Sequence, residues 1–227
     1  MAEFPFDIVG FDLDGTLLDT HRDLGEAVNE ALELGGFERI PVERVESLIG
    51  GGAKLMLKKA IDEAGGLPED EFRPLYKALL AHYAQNNAVH TRPYSGAVET
   101  IDDLAARGVR MAVVTNKFES FATDILGKLG LADRFECVIG GDSLGRDADG
   151  QFRAKPSPDP LLEARRRCRG GSFVFVGDSS YDALAARNAG VPMVVAAYGY
   201  CDRPPQELGG DAVIDSFADL IPALQTL

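Results

Sequence analysis

Cysteine and histidine are scarce in this sequence. The three cysteines, Cys137, Cys168 and Cys201, lie far apart in a chain of 227 residues, and no Cys-x-x-Cys pair occurs. That spacing excludes a zinc ribbon and a disulfide framework, and it suits a reducing compartment. His21, His82 and His90 are scattered without metal-ligand spacing. Positive charge is also short, with 23 Lys and Arg against 36 Asp and Glu and a net charge of −13. Such a balance argues against nucleic acid or an anionic membrane as partner. It leaves room for a small anionic substrate, because a metal and a few local cations reverse the field within one pocket. No apolar run is long enough to span a bilayer, and no basic-then-apolar stretch opens the chain, so a cytoplasmic site of action is expected.

What is present is a hydrophobic fraction of 45%, enough for a real core. Apolar, β-rich runs fall at residues 6–11, 109–115, 172–177 and 191–197, with shorter ones at 137–140 and 212–214. Short runs of this kind suit strands of a parallel sheet buried on both faces. Helical patterns lie between most of them, at residues 118–129, 159–168 and 182–189. Ser95 is placed to cap a helix reaching Arg107, and Ser216-x-x-Asp219 to open a last one. Strand and helix alternate, so the expected class is α/β with a doubly wound, Rossmann-like parallel sheet. One stretch breaks the alternation: residues 20–87 show only helical patterns, at 23–34, 42–49, 53–64 and 68–85. The domain expectation is therefore an α/β core of residues 1–19 and 88–227, with an all-helical insert at 20–87.

The chemistry concentrates at predicted strand ends. Asp12-Leu13-Asp14-Gly15-Thr16 follows the first run, and Gly15 breaks the extended path so that both carboxylates can turn toward one pocket. A surface Asx turn would read the same way. Thr115-Asn116-Lys117 follows the second long run, Gly177-Asp178-Ser179-Ser180-Tyr181-Asp182 follows the third, and Lys155-Pro156 precedes the helix near Asp159. Polar groups at the carboxyl edges of one parallel sheet converge on a single crevice. Taken singly, Asp178 and Asp182 read as helix N-terminal acids, Lys155 as a surface lysine and Thr115-Asn116 as an N-cap.

Together these four motifs resemble the haloacid dehalogenase-like superfamily of phosphatases over nearly the whole chain. Within it the likeness is to the phosphoglycolate phosphatases, through Thr115-Asn116-Lys117, Lys155-Pro156-Ser157-Pro158-Asp159-Pro160 and Tyr198-Gly199-Tyr200. Phe118 stands where proline is usual in that group. The resemblance implies that Asp12 is the nucleophile of an aspartyl-phosphate mechanism and Asp14 the acid and base. It implies Mg²⁺ held by the side chains of Asp12 and Asp178 and the backbone carbonyl of Asp14. Lys155, Thr115 and the Asn116 amide would meet the phosphoryl oxygens, Lys117 would join the substrate site, and Asp182 would orient Lys155 or a metal-bound water. The helical insert corresponds to that family's cap. In it, Gly50-Gly51-Gly52 offers backbone amides to a ligand, with Gly51 at its centre, and Lys54 is a candidate for a substrate carboxylate.

The expected activity is hydrolysis of a small phosphate monoester, 2-phosphoglycolate first. The alternatives are another sugar-phosphate or nucleotide phosphatase, a phosphomutase, and a non-catalytic phosphate-binding protein. The mutase is disfavoured by Thr115-Asn116-Lys117, where the sugar phosphomutases usually carry a serine pair. A dehalogenase is disfavoured by Asp14, since no leaving alkoxide needs a proton. A dead scaffold is disfavoured because no nucleophile or metal ligand is missing. Asp147-Ala148-Asp149-Gly150 fails the spacing of a calcium loop, because Gly145 would be its first ligand. Arg165-Arg166-Arg167-Cys168-Arg169 reads as a solvated helix end.

Overall fold

The computed structural model describes residues 4–227; residues 1–3 of the expected core lie outside the described residues. The first apolar run becomes β1 (Ile8–Phe11). A two-residue strand, β2 (Leu18–Asp19), leads into four helices: α1 (His21–Leu34), α2 (Val42–Val45), α3 (Ala53–Glu63) and α4 (Glu69–Asn86). The chain returns through β3 (Arg92–Pro93). It then alternates through α5 (Ala97–Ala106), β4 (Arg110–Val114), α6 (Glu119–Lys128), β5 (Cys137–Ile139), α7 (Asp159–Arg167), β6 (Phe173–Gly177), α8 (Ser180–Ala189), β7 (Met193–Ala196), β8 (Ala212–Ile214) and α9 (Leu220–Leu224).

Six strands form one parallel sheet in the order β5-β4-β1-β6-β7-β8. Side chains alternate across it. Val9, Phe11, Val113, Val174 and Val176 face an apolar cluster shared with α5, α6 and α9. Ile8, Ala112, Val114, Phe173 and Phe175 face a second cluster shared with α7 and α8. Both faces are dry, which is why these strands read as continuous apolar runs instead of alternating ones. Removing each of the Val, Ile and Phe side chains among them from water contributes about 1.5–3 kcal/mol. The winding turns outward in both directions from β1, so the topological switch lies between β1 and its neighbours, and the crevice opens at their carboxyl ends.

The four helices of residues 20–87 pack on one another through stripes at helical spacing: Leu24, Val28 and Leu32 on α1, Leu57 and Ile61 on α3, and Leu75, Leu79 and Tyr83 on α4. Their apolar cluster is continuous with one sheet face. Two chain passages tie them to the sheet. There β2 pairs antiparallel with β3, Leu18 opposite Pro93 and Asp19 opposite Arg92. Asp23, in the first turn of α1, is buried yet fully used. It accepts from the backbone N–H groups of His90 (2.9 Å) and Thr91 (2.9 Å) and from the Thr91 hydroxyl (2.7 Å).

Several boundaries differ from expectation. Ser95 does not cap α5; Gly96 holds that place in the left-handed region, at φ 82°, which a side chain at Ser95 cannot supply. The helix expected over residues 42–49 splits into α2 and a 3-10 turn, Glu46–Leu48. At Ser216 the hydroxyl bonds the Asp219 carboxylate (2.8 Å), but a 3-10 turn, Phe217–Asp219, comes before the short α9. Among the described residues no helix is long and apolar enough to cross a membrane.

Candidate active site

Asp12 stands where β1 ends and is 6% exposed. The chain then turns so tightly that a Cβ on Gly15 (φ +78°) would lie 2.2 Å from Asp178 Oδ2. The turn thus needs glycine twice over, for its left-handed backbone and for the close approach of Asp178. Across the crevice, Gly199 allows the same approach, since its Cβ would lie 2.3 Å from the Gly15 carbonyl oxygen. Asp178, past the end of β6, accepts from the Thr16 hydroxyl (2.7 Å) and from the Tyr200 backbone N–H (2.8 Å). Lys155 arrives on the long loop between β5 and α7 instead of from a strand end. It is 4% exposed, with its Nζ 2.9 Å from Asp12 Oδ1 and 2.6 Å from Asp182 Oδ1. The other oxygen of Asp182 accepts from Ser179, backbone N–H (3.0 Å) and hydroxyl (2.6 Å), in a capping box that opens α8. The helix cap therefore orients the carboxylate that holds the lysine.

Carboxylate oxygens of Asp12, Asp178 and Asp182 lie within 4.8 Å of one another. One ammonium, Lys155, faces Asp12 and Asp182. Burial pushes the Asp12 carboxyl up to about 7, with Lys155 opposing and Asp182 adding to the rise. Burial also raises Asp178 well above the usual carboxylate range, helped by Asp182 and Asp12. Burial works against the charge on Lys155, yet Asp12 and Asp182 overcome it and raise its pKa. The cluster thus has more buried negative than positive charge, and its donors are all oxygen. That combination fits a hard divalent cation such as Mg²⁺ and does not fit zinc.

A pocket opens beside Asp12 and Asp14, between the sheet's carboxyl edge and the helical segment. Asp14 accepts from the Thr20 hydroxyl (2.7 Å) and lies 3.0 Å from Lys117 Nζ. The buried Lys117 also donates to the Tyr83 hydroxyl (2.8 Å). Asp14 and Tyr83 hold its pKa up against the cost of burial. Burial pushes the Tyr83 phenol to about 12. Thr115 lines the same pocket and accepts from the Lys117 backbone N–H (3.2 Å). The Asn116 amide group donates to the carbonyls of Gly50 and Lys155, both at 3.0 Å. It therefore ties the helical segment's glycine loop to the lysine loop, while its Oδ1 is buried without a partner.

Of the residues expected from sequence, Asp12, Asp14, Lys155, Asp178, Asp182, Thr115, Asn116 and Lys117 come together at this crevice. Gly50 and Gly52 line the pocket, whereas the Gly51 Cα side faces Leu55 and the Tyr181 hydroxyl. Lys54 is exposed and outside the pocket lining. Sequence reasoning missed Tyr83, which sits four residues after Leu79 and eight after Leu75 and so looks like one more core residue of α4. It also missed the structural use of Tyr200. That hydroxyl accepts from the backbone N–H groups of Thr20 (2.7 Å) and His21 (3.0 Å) and donates to Asp19 (2.9 Å), at the passage into the helices.

Comparison with known proteins places this geometry. A family model for haloacid dehalogenase-like hydrolases matches residues 6–190. The chain is 40% identical over 217 residues to a phosphoglycolate phosphatase of Agrobacterium fabrum, covering 94% of this chain and 90% of that one. It is 36% identical over 222 residues to a phosphoglycolate phosphatase of Caulobacter vibrioides, covering 96% and 91%. A crystal structure of a predicted phosphoglycolate phosphatase from Haemophilus somnus superposes with a TM-score of 0.88 at 33% identity, over 97% of this chain and 98% of that one.

Proposed function

The chain belongs to the haloacid dehalogenase-like hydrolases and is a phosphoric monoester hydrolase; from that premise we propose that it hydrolyses 2-phosphoglycolate, with Mg²⁺, through an aspartyl-phosphate on Asp12. The observation that carries this reading is the buried set of Asp12, Asp178 and Asp182, with Lys155 paired to Asp12 and Asp182, at the switch point of the sheet. In the first step an Asp12 oxygen attacks phosphorus while the ester P–O bond breaks. Asp14 gives its proton to the departing alcohol oxygen. In the second step a water oxygen attacks the same phosphorus, Asp14 takes the water's proton, and the bond to Asp12 breaks to release phosphate. Lys155 offsets charge on the transferring phosphoryl oxygens while Asp182 holds it in place. Asp12, Asp178 and the Asp14 carbonyl are the groups that would hold Mg²⁺, which when bound lowers the repulsion between Asp12 and a phosphate dianion.

Residues 20–87 act in this reading as a cap that closes over the crevice, hinged where β2 pairs with β3. Closure excludes water during phosphoryl transfer and reopening releases product. The pocket walls on the cap side, Leu24, Ile49, Met56 and Leu79, are apolar. Apart from the Tyr83 hydroxyl, the cap-side lining offers no polar side chain to the hydroxyls of a sugar, which favours a short leaving group. The three cysteines are free, which suits the cytoplasm as the site of action. The test is phosphate release from a panel of phosphate monoesters with and without Mg²⁺. Preference for 2-phosphoglycolate, lost on chelation, is expected. Full activity after exhaustive chelation would reject the metal, and preference for a sugar phosphate would reject the substrate.

A further inference from the structure

The substrate pocket contains one cation among its described lining residues, and it is Lys117. Lys155 is engaged with Asp12 and Asp182, and Lys54 stands in solvent. From this we infer that Lys117, completed by the Tyr83 hydroxyl, is the seat for a carboxylate carried on the leaving alcohol, one carbon from the ester oxygen. The inference rests on the proposed reading of the site as a 2-phosphoglycolate phosphatase.

Position carries the argument first. Asp14 must reach the ester oxygen to give it a proton, and Lys117 Nζ lies 3.0 Å from Asp14 Oδ2. The ammonium is therefore beside the first atoms of the alcohol as they depart. In 2-phosphoglycolate the carboxylate follows the ester oxygen after a single CH₂, so it reaches a cation at that place. A longer chain would carry its charge past Lys117, and an uncharged alcohol would leave the third N–H of Lys117 with nothing to meet.

Hydrogen-bonding capacity points the same way. An ammonium has three N–H donors. Lys117 spends one on Asp14 and one on Tyr83, which leaves one for a ligand. The ammonium also sits 4.6 Å from the Tyr83 ring centroid, so the ring steadies the charge without taking the third donor. Lys117 is buried, and Phe118, Phe121 and Met56 bound the same pocket. In such surroundings an opposite charge interacts more strongly than it would in water.

The seat is assembled from both halves of the molecule. Lys117 follows β4 in the core, and Tyr83 belongs to α4 of the helical segment. Phe121 of the core packs edge-on against the Tyr83 ring, with centroids 5.5 Å apart, and fixes where the hydroxyl lies. Recognition of the carboxylate is thereby joined to the closed arrangement of the cap.

The experiment compares kcat/KM for 2-phosphoglycolate and for ethyl phosphate, which has the same skeleton with a methyl group in place of the carboxylate. The readout is the ratio of the two, because Lys117 also contacts Asp14 and its loss slows both esters. Lys117→Met should lower the ratio on the order of 10- to 100-fold, as for a lost hydrogen bond between charged groups. Tyr83→Phe keeps the ring and its packing, so it reports even where Lys117→Met does not fold; it should lower the ratio several-fold. Ratios equal to that of the unmodified enzyme in whichever variants fold would overturn the inference and leave Lys117 only the positioning of Asp14. Release of phosphate from neither ester by the unmodified enzyme would instead refute the phosphatase reading itself, and ethyl phosphate preferred by the unmodified enzyme would refute both the carboxylate seat and the 2-phosphoglycolate reading.

Discussion

The two sides of the crevice are built by opposite rules. On the sheet side, Asp12, Asp178, Asp182 and Lys155 are buried, ionisable and bonded to one another or to the turns that carry them. On the helical side, Leu24, Ile49, Met56 and Leu79 are apolar, and the polar contacts that reach this wall from the core are Asn116 to the Gly50 carbonyl and Lys117 to the Tyr83 hydroxyl. The first arrangement stores electrostatic tension that, in the proposed reading, a metal and a phosphoryl group relieve. The second shapes a space and defines its size. A site of this kind grips rigidly what every substrate shares and uses contact and exclusion for what differs among them.

The comparison is broken most severely at Asp12. Asp12→Asn keeps the shape but removes the proposed nucleophile, and turnover should fall by at least ~10³-fold, as with other catalytic groups that act as a unit. Near-normal kcat in that variant would show that the charged side is structural.

Metal and pH probe the same side through stability. Burial lifts Asp12 from the ordinary 3.8 to about 7, with Lys155 opposing, and lifts Asp178 in the same direction. Between those pH values the metal-free folded protein holds a proton that the unfolded chain has lost. The stabilisation this brings is complete below the unfolded value and disappears as pH rises through about 7. The metal-free protein should therefore melt at a higher temperature at pH 5 than at pH 8. Mg²⁺ at a hundred times its Kd should add about 2.7 kcal/mol, the binding being stronger at pH 8, where the carboxylates are ionised. Scanning fluorimetry with and without chelator checks both signs; a melting temperature that climbs with pH in chelator would contradict the burial of unpaired carboxylates.

The helical side should respond more mildly. Asn116→Ala removes the bonds to Gly50 and Lys155 and should lower kcat/KM on the order of tenfold, at ~0.5–1.5 kcal/mol per hydrogen bond. No change would mean that the loop is held by packing alone. Lys54→Ala should alter stability by less than about 0.5 kcal/mol and leave the preference among esters as it was. A selective loss on 2-phosphoglycolate would bring Lys54 into the pocket and displace Lys117 from the role inferred for it.

The core strands and the places of the polar motifs were legible along the chain because each signal is local. The apolar run ending at Phe11, the Asp-x-Asp-Gly turn and the Ser179 cap with Asp182 each lie within a few residues, and each is found where the pattern puts it. The strand at Ala212–Ile214 is also found, although its run is the weakest. The paired strands β2 and β3 were hidden because two residues, Leu18–Asp19 or Arg92–Pro93, carry no periodicity. The start of α5 was misplaced because the sequence shows a good capping residue at Ser95 but not the left-handed backbone at Gly96 that does the work.

By itself, then, the sequence determined the strand–helix alternation, the four polar motifs and the helical character of residues 20–87, since hydrophobic period and turn chemistry act between near neighbours. Tertiary structure alone decided which lysine meets the pocket. Lys54 and Lys117 are equally charged along the chain, and both stand close to glycine- or threonine-bearing turns. Only the packing of α4 against the loop after β4 puts Tyr83 at 2.8 Å from Lys117 and leaves Lys54 in water. That contact joins residues 34 positions apart. Its strength comes from burial, which no single segment of the chain possesses until the whole has folded.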